Sequence, residues 1–487
     1  GQVEVLRGPQ GTLYGRNATA GVVNLTSAKP SDQFEAMASA ELGNYHQRRF
    51  EGMINLPIVD DRLDIRIAGE WTKRQGYSFN ALNDSRIDGR DLWSGRVTIG
   101  WKPIEGLQTY LVWEHFSEND DRMRTAKQLC HRQPILDLFG GDAAATAPGG
   151  ASTAVFNAAN YGSQGCQMSS LYSPHAFEVP NGFSLPYYFG ASAVGLAITG
   201  NDPYASTKQS QNLRVIETAF NPQYRVKNDI VELNMDYALT PGLTVTSQTA
   251  FNHDFLWSLE DYNRFNTSPG VFAVDDVMHA NGGTFCGPFG CLPTATFCDP
   301  QIGCSDRLTA EDLSDEHSWQ LSQEFRVASN FNGPVNFSAG GNYLHYETDE
   351  DYYVFFNSLT AALAETGYVY GGAQWIPGVS DNSQCLQGGA LYVNAFARHD
   401  PTSGSCIYID PNPITSLDNE GHNYFLSQNP YTLNSYAGFG EVYYNVLNDL
   451  KLIAGARWTD DQKHFTDIPS ELLVPGYGYP ITAVVNQ

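Results

Sequence analysis

The sequence predicts an all-β chain, an antiparallel membrane β-barrel. Three observations predict it: apolar and polar residues alternate with period two, charged residues are few, and short connections alternate with long ones. Charged residues make up 17 % of the 487 positions, whereas Tyr (27), Phe (26) and Gly (46) are abundant. An ordinary soluble chain carries about 25 % charged residues, so much of this surface faces something other than water. No window holds about 18 uninterrupted apolar residues, which excludes a transmembrane helix and leaves a large secreted β-protein or a membrane barrel.

The alternation is plain in several stretches. Leu63, Ile65, Ile67, Gly69 and Trp71 alternate with Asp64, Arg66, Ala68 and Glu70, and Trp93, Val97, Ile99 and Trp101 with Ser94, Arg96 and Thr98. Leu321, Phe325 and Val327 oppose Gln320, Ser322, Glu324 and Arg326, and Leu452, Ala454, Ala456 and Trp458 oppose Lys451, Ile453 and Arg457. Such a pattern gives a strand one apolar and one polar face. About eleven strands are expected, near 34–43, 47–57, 62–75, 91–102, 106–118, 226–240, 242–258, 317–330, 334–347, 432–448 and 450–463.

The connections select the barrel. Short turns at 57–62, 102–106, 240–242, 330–334 and 447–450 alternate with insertions at about 75–91, 119–225, 259–316 and 348–431, the one short exception being Gly43 to His46. Long insertions at every second junction all leave from one end, as in outer-membrane barrels with extracellular loops. Trp71, Trp93, Trp101 and Trp257 fall near strand ends, where an interfacial girdle sits; a sandwich core is the alternative.

The formal charge of −25 argues against nucleic acid as partner. Eight cysteines without a CxxC pair suit an oxidising compartment. All eight fall in the long loops: Cys130 with Cys166, Cys286, Cys291, Cys298 and Cys304 together with three possible pairings, and Cys385 with Cys406. Disulfides that staple loops are favoured over zinc, which calls for closer pairs, so no metal and no cofactor are expected. His115, His131, His253, His317 and His345 lack HExxH spacing, and there is no GxSxG elbow, GxGxxG or Walker loop, so no enzyme chemistry is indicated. Asp120-Asp121 and Glu350-Asp351 read as solvated acidic loop ends. Tyr352, Tyr353, Phe355 and Phe356 are candidates to pack against an aromatic chelator or sugar, or else form an upper girdle. With no Met, basic region or apolar signal at its start and no closing element at Gln487, the sequence reads as part of a longer protein.

The first thirty residues are a Gly-punctuated strand–turn–turn–strand, with Gly8-Pro9, Gly11, Gly15 and Gly21 between apolar runs at Val3–Leu6 and Val22–Leu25. Here the chain resembles a known family. Arg7-Gly8-Pro9 with Leu13-Tyr14-Gly15-Arg16-Asn17 is similar to the C-terminal part of the plug domain of TonB-dependent outer-membrane receptors of the siderophore kind. Residues 43–58 (GNYHQRRFEGMINLPI), 318–329 (SWQLSQEFRVAS) and 435–461 (SYAGFGEVYYNVLNDLKLIAGARWTDD) are similar to that family's barrel. Ala18-Thr19-Ala20-Gly21 departs from it where relatives usually carry a Gly pair.

The resemblance implies residues 1–30 as the end of a plug and 31–487 as the N-terminal half of a barrel of about 22 strands. It implies energised import of a bulky nutrient, most often a ferric siderophore, at the outer membrane, with TonB and membrane lipid as partners. Oligosaccharide, vitamin, haem or a small aromatic compound are the alternative cargoes; a passive porin or a secreted β-structural protein are the alternative classes. It further implies that Arg7, with Glu4 nearby, pairs with acids on the inner barrel wall, for which Glu324 and Glu441 are the candidates. The other reading of Glu324 is a residue lining a wet lumen.

Overall fold

The computed structural model of the chain describes residues 1–15, 18–132, 166–180, 204, 206–261, 265–270, 285–287, 290–292, 296, 297–299, 301–357, 414, 425–447, 449–466, 470–476 and 479–485. After an opening unit of β1 (Gln2–Arg7), α1 (Gly11–Tyr14) and β2 (Gly21–Thr26), eleven long strands follow: β3 (Glu35–Gly43), β4 (Gln47–Val59), β5 (Leu63–Arg74), β6 (Arg90–Trp101), β7 (Leu107–Asp120), β8 (Gln223–Thr240), β9 (Leu243–Asp261), β10 (Ala310–Ser329), β11 (Val335–Phe356), β13 (Tyr431–Leu447) and β14 (Leu450–Phe465), with the short β12 (Phe425–Gln428) before β13. Each long strand pairs antiparallel with the next in sequence. The upper part of β11 pairs with β12 and its lower part with β13. β12 and β13 are one strand interrupted at Asn429-Pro430, where proline has no amide to donate. Two further strands, β15 (Ser470–Gly476) and β16 (Tyr479–Val485), extend the ladder from β12. The sheet is thus antiparallel throughout, all-β as expected, with β3 at one edge and, beyond β11, two branches that end at β14 and β16.

All eleven expected strands form, within a few residues of their expected lower ends. The upper ends run further. β9 reaches Asp261, β10 starts at Ala310 and β11 reaches Phe356, so the insertions after 258 and 347 begin later than the alternation suggests. The extra residues are acidic or aromatic on both faces, so no period marks them as strand. Their backbone groups pair across the ladder regardless of side chain, from Leu259↔Leu313 up to Ala310↔Phe356.

Because directly opposed residues share a face, the register sorts the sheet. One face carries Arg66, Arg96, Glu114, Asn234, Gln248, Glu324, Ser338 and Glu441, in line across the strands. The other carries Phe50, Ile67, Trp93, Trp113, Val231, Phe251, Phe325, Val442 and Trp458, all exposed. Phe325 is 59 % exposed and Trp458 65 %, values that a sandwich core would not leave uncovered. Among the described residues no helix is long and apolar enough to cross a membrane.

The expected aromatic girdle holds three kinds of tryptophan. Trp93 and Trp101 are exposed on the apolar face, and Trp71 stacks on Phe50. Trp257 instead is buried with Leu259, Leu313, Tyr353, Phe355 and Leu426, above the apolar face and beneath Phe220 and Ile302. The Arg225 guanidinium covers its ring at 4.7 Å. At the first turn, Asn44 to Gln47, Tyr45 and His46 both have positive φ (60° and 54°), the backbone of a two-residue hairpin turn. Tyr45 is held there by Tyr77 edge-on and by Arg86 and Arg214.

The sheet also depends on close backbone approach. A Cβ on Gly340 would stand 2.5 Å from the Phe325 carbonyl oxygen and 2.9 Å from Phe439, whereas one on Gly333, in a turn, would meet nothing within 4 Å. Gly340→Val should therefore lower the denaturation midpoint, by about 1–3 kcal/mol of overpacking, with Gly333→Val close to neutral. Equal midpoints for the two variants would contradict the packing described.

Candidate functional site

The opening unit consists of β1 (Gln2–Arg7) and β2 (Gly21–Thr26), paired antiparallel from Gln2↔Thr26 to Arg7↔Gly21, with the single helical turn α1 (Gly11–Tyr14) between them. The glycine motif is turn chemistry. Gly8 and Gly15 have φ of +83° and +80°, and a Cβ on Gly21 would stand 2.5 Å from the Leu6 carbonyl oxygen. Backbone bonds from Gly8 N to Ala20 O and from Gln10 N to Ala18 O close the loop around Pro9. Arg16 and Asn17 lie outside the described residues.

This unit docks on the polar face of the sheet, through α1 onto β13 and β14. A Cβ on Gly455 would meet Thr12 Cγ2 at 2.9 Å and Glu441 Cγ at 2.7 Å, so helix, glycine and acid share one point. A Cβ on Gly15 would stand 3.3 Å from Arg457 Nη2. Arg457 is held by Asn342 Oδ1 (3.1 Å) and Thr459 Oγ1 (3.1 Å), and its guanidinium lies 5.2 Å from the Phe439 ring.

The docked contact differs from the expected one. No ion pair joins Arg7 to Glu324 or Glu441 among the described residues. Glu4 accepts from Gln2 and Asn24 within its own hairpin. Glu441 accepts from the Tyr443 hydroxyl (2.8 Å) and sits beside Thr12. Glu324 lies on the polar face between Gln248 and Asn342, as its parity predicts, in the position of a wall residue. Among the described residues the arginine beside the opening unit is Arg457 of the sheet, close to the backbone at Gly15. A small residue is what lets the arginine fork approach so closely. Thr12, Gly455 and Arg457 were not singled out as site residues in the sequence; the signal was Gly455, a side-chain-free position on the polar face opposite Glu441.

Further along, the polar face carries paired charges. Arg49 meets Glu70 at 2.8 Å, Arg66 meets Glu35 at 3.3 Å, and Arg96 pairs with Glu114. With Ala28, Glu51 and Ser94 several of these line an open cavity of about 270 Å³. Lys29, just after β2, lies 4.3 Å from the Tyr110 ring, which ties that end of the opening unit to the wall.

At the upper rim Asp120 and Asp121 are half-buried and hydrogen-bonded. Asp121 accepts from Gly89 N, and Asp120 from the amides of Asp91 and Arg122. Burial raises the Asp121 carboxyl above its usual range despite the Gly89 bond. Arg124 spans Asp312 (2.8 Å) and Glu260 (3.7 Å), so the chain after β7 folds back over the sheet. Glu350 and Asp351 lie within β11. The four candidate aromatics also lie in β11: Tyr353 and Phe355 are buried in the Trp257 cluster, Tyr352 is half-buried with its hydroxyl toward Asp312, and Phe356 is half-buried opposite Ala310. Burial of Tyr353 and Phe355 removes them from any ligand-facing surface.

Cys130 and Cys166 are disulfide-bonded. In two small hairpins Cys286 is in register with Cys291, and Cys298 with Cys304; Cys304 is disulfide-bonded. Cys385 and Cys406 lie outside the described residues. Beside the Cys130 bridge the fold gathers His131, His175 and Glu178, which sequence spacing did not connect. Burial tends to raise Glu178. The hydrogen bond from His175, the Arg132 amide and the nearby imidazoles outweigh it and hold the carboxyl below its usual range. Close by, burial pushes the Lys127 ammonium down to about 8, with Glu217 opposing the shift, and the group donates to Ser210 O.

No protein-family model matches the chain. Over 87 residues, 17 % of this chain and 12 % of the relative, it is 37 % identical to the ferrioxamine B receptor of Salmonella typhimurium (strain SL1344). Over 76 residues, 15 % of this chain and 10 % of the relative, it is 38 % identical to the catecholate siderophore receptor Fiu of Escherichia coli (strain K12). In fold it is similar to the crystal structure of the ferric yersiniabactin uptake receptor FyuA from Yersinia pestis, with a TM-score of 0.50 and 12 % identity. That match covers 99 % of this chain and 46 % of the other, so the chain spans about half of that receptor's length.

Two outcomes follow from this geometry. Gly455→Val should push α1 off the wall while leaving the sheet intact. Limited proteolysis would then cut within residues 8–20 in the variant at a protease level that spares the parent; equal resistance would contradict the docking. Lys127, protonated only below about pH 8 in the fold and below its ordinary value near 10.5 when unfolded, carries a burial cost that is full below pH 8 and fades as pH rises from there toward 10.5. Lys127→Met should therefore raise stability at pH 7 relative to the parent, and the gain should shrink by pH 10.

Proposed function

We propose that this chain, siderophore-receptor-like in sequence and in fold, forms the end of the plug and about half the barrel of a TonB-dependent outer-membrane receptor. The observation that carries the reading is the opening unit seated on the polar face of a sheet whose opposite face is apolar and exposed. A passive pore needs the second feature and has no use for the first; a secreted sandwich has no use for either.

In this reading the apolar face meets lipid, with Trp93 and Trp101 near its margins. The polar face is the lumen wall, and residues 1–30 block the path along it. The cargo is a bulky ferric chelate, captured from outside by loops and by the upward surface of the plug; the curated relatives are named as receptors for such compounds. Capture makes and breaks no bond in the cargo. TonB, energised from the inner membrane, then pulls the plug, and the contact of Thr12 and Gly15 with Gly455 and Arg457 is among those that must yield. That contact is suited to repeated release. Among the described residues it brings Thr12 against Gly455 and the Arg457 guanidinium close to the backbone at Gly15, close packing that separates without breaking a covalent link.

Deleting the gene should abolish uptake of radiolabelled iron presented as one class of ferric siderophore under iron limitation, and the full-length protein should restore it. Collapse of the proton gradient should stop uptake but not surface binding. If uptake of every ferric chelate is unaffected while that of an oligosaccharide, haem or vitamin is lost, the siderophore assignment fails and the energised receptor stands. Uptake indifferent to the proton gradient would overturn both.

A further inference from the structure

His131, His175 and Glu178 come from two chain segments that the Cys130–Cys166 bridge brings together. Cys130 donates its amide to Ala176 O (2.9 Å) and accepts from Glu178 N (2.9 Å), so the residue before His131 is locked against the 175–178 turn. That turn is itself closed by Ala176 N on Ser173 O (3.1 Å) and by His175 N on Ser173 Oγ (3.2 Å). His131 pairs in register with Gln167, next to the other half of the disulfide. Three side chains therefore converge from a braced backbone.

We propose that these three residues form a binding site for a divalent transition-metal ion of zinc-like character, with His131 and His175 supplying ring nitrogens and Glu178 an oxygen. All three donor atoms lie within 4.8 Å of one another. Bonds of about 2.0–2.1 Å at tetrahedral angles place ligand atoms about 3.3 Å apart. The observed 2.6 Å from His175 Nδ1 to Glu178 Oε1 and 3.9 Å from His131 Nε2 to Glu178 Oε2 bracket that spacing. A simple ion pair between His175 and Glu178 accounts for one imidazole. It does not account for the second, which stacks on the first at 4.9 Å and turns toward the same carboxylate.

Glu178 Oε2 also accepts from the Arg132 amide at 2.7 Å, the kind of outer bond that fixes a ligating carboxylate in place. Two nitrogens and one oxygen favour zinc, nickel or copper over calcium or magnesium, which prefer all-oxygen shells. Binding replaces the His175–Glu178 hydrogen bond: His175 presents its Nδ1 lone pair, with its proton on Nε2. Three protein donors leave a fourth position for water or an outside ligand. The site does not rest on the siderophore reading and survives its failure.

The test is zinc titration by calorimetry on the full-length protein in detergent, after stripping with chelator and with the Cys130–Cys166 bridge verified by non-reducing peptide mapping. One zinc ion per chain should bind at this site. Loss of even an outer partner costs about 10–100-fold in affinity, so His131→Ala and His175→Ala should each weaken binding by at least about tenfold. Glu178→Gln, which keeps the side-chain shape, should weaken it as well, whereas His464→Ala should not. Cobalt in place of zinc should give the visible absorption of a tetrahedral site in the parent and lose it in the double variant His131→Ala/His175→Ala. Absence of stoichiometric zinc binding in the parent, or unchanged affinity in that double variant, overturns the proposal.

Discussion

Hydrogen-bond register is the constraint on which this structure rests. Side chains alternate with period two, so the pairing of Glu324 with Gln248 on one side and Asn342 on the other assigns every residue of three strands to a face. Carried across the meander, the same parity lines up Arg66, Glu114, Gln248 and Glu441 on one face and Ile67, Trp113, Phe325 and Val442 on the other. A slip of one residue at any ladder would move that strand's apolar set to the polar side. The docked helical turn, the paired charges of the wall and the exposed aromatic face all depend on the same registration.

The inner contact shows how the opening unit is seated on the sheet. Where α1 meets β13 and β14, the sheet offers glycine at 455, where a Cβ would crowd Glu441 and Thr12, and the opening unit offers glycine at 15, where a Cβ would crowd the Arg457 guanidinium. Arg457 is oriented by Asn342, Thr459 and Phe439 before the opening unit reaches it. A pre-oriented group loses little freedom on contact, so the contact can form and part with little reorganisation of the wall.

The architecture was legible because alternation is a local signal that long strands repeat many times. Leu63 to Trp71 and Trp93 to Trp101 declare their faces without any partner, and the tight turn at Thr240-Pro241-Gly242 declares its own geometry. The upper strand extensions were not legible, since Ala310 to Glu316 is acidic and carries no period; only its partners across the ladder make it strand. The burial of Tyr353 and Phe355 was not legible for the same reason. That burial depends on Trp257 and Leu426, the latter some 70 positions away in the sequence. At the candidate site the glycines of the opening motif were readable as turn formers, but their counterpart Arg457 was not, because its role follows from register and not from residue type. His131 and His175 were hidden by a gap of more than 40 residues that one disulfide closes.

That disulfide has a consequence for how the protein can vary. It joins cysteines 36 positions apart and, by constraining the unfolded chain, contributes stability of about 2–4 kcal/mol. Lengthening the enclosed stretch to twice its size costs only about 0.6 kcal/mol more in closure. The bridge therefore separates a braced base, where Cys130 meets Ala176 and Glu178, from an enclosed span that can lengthen at little cost in closure.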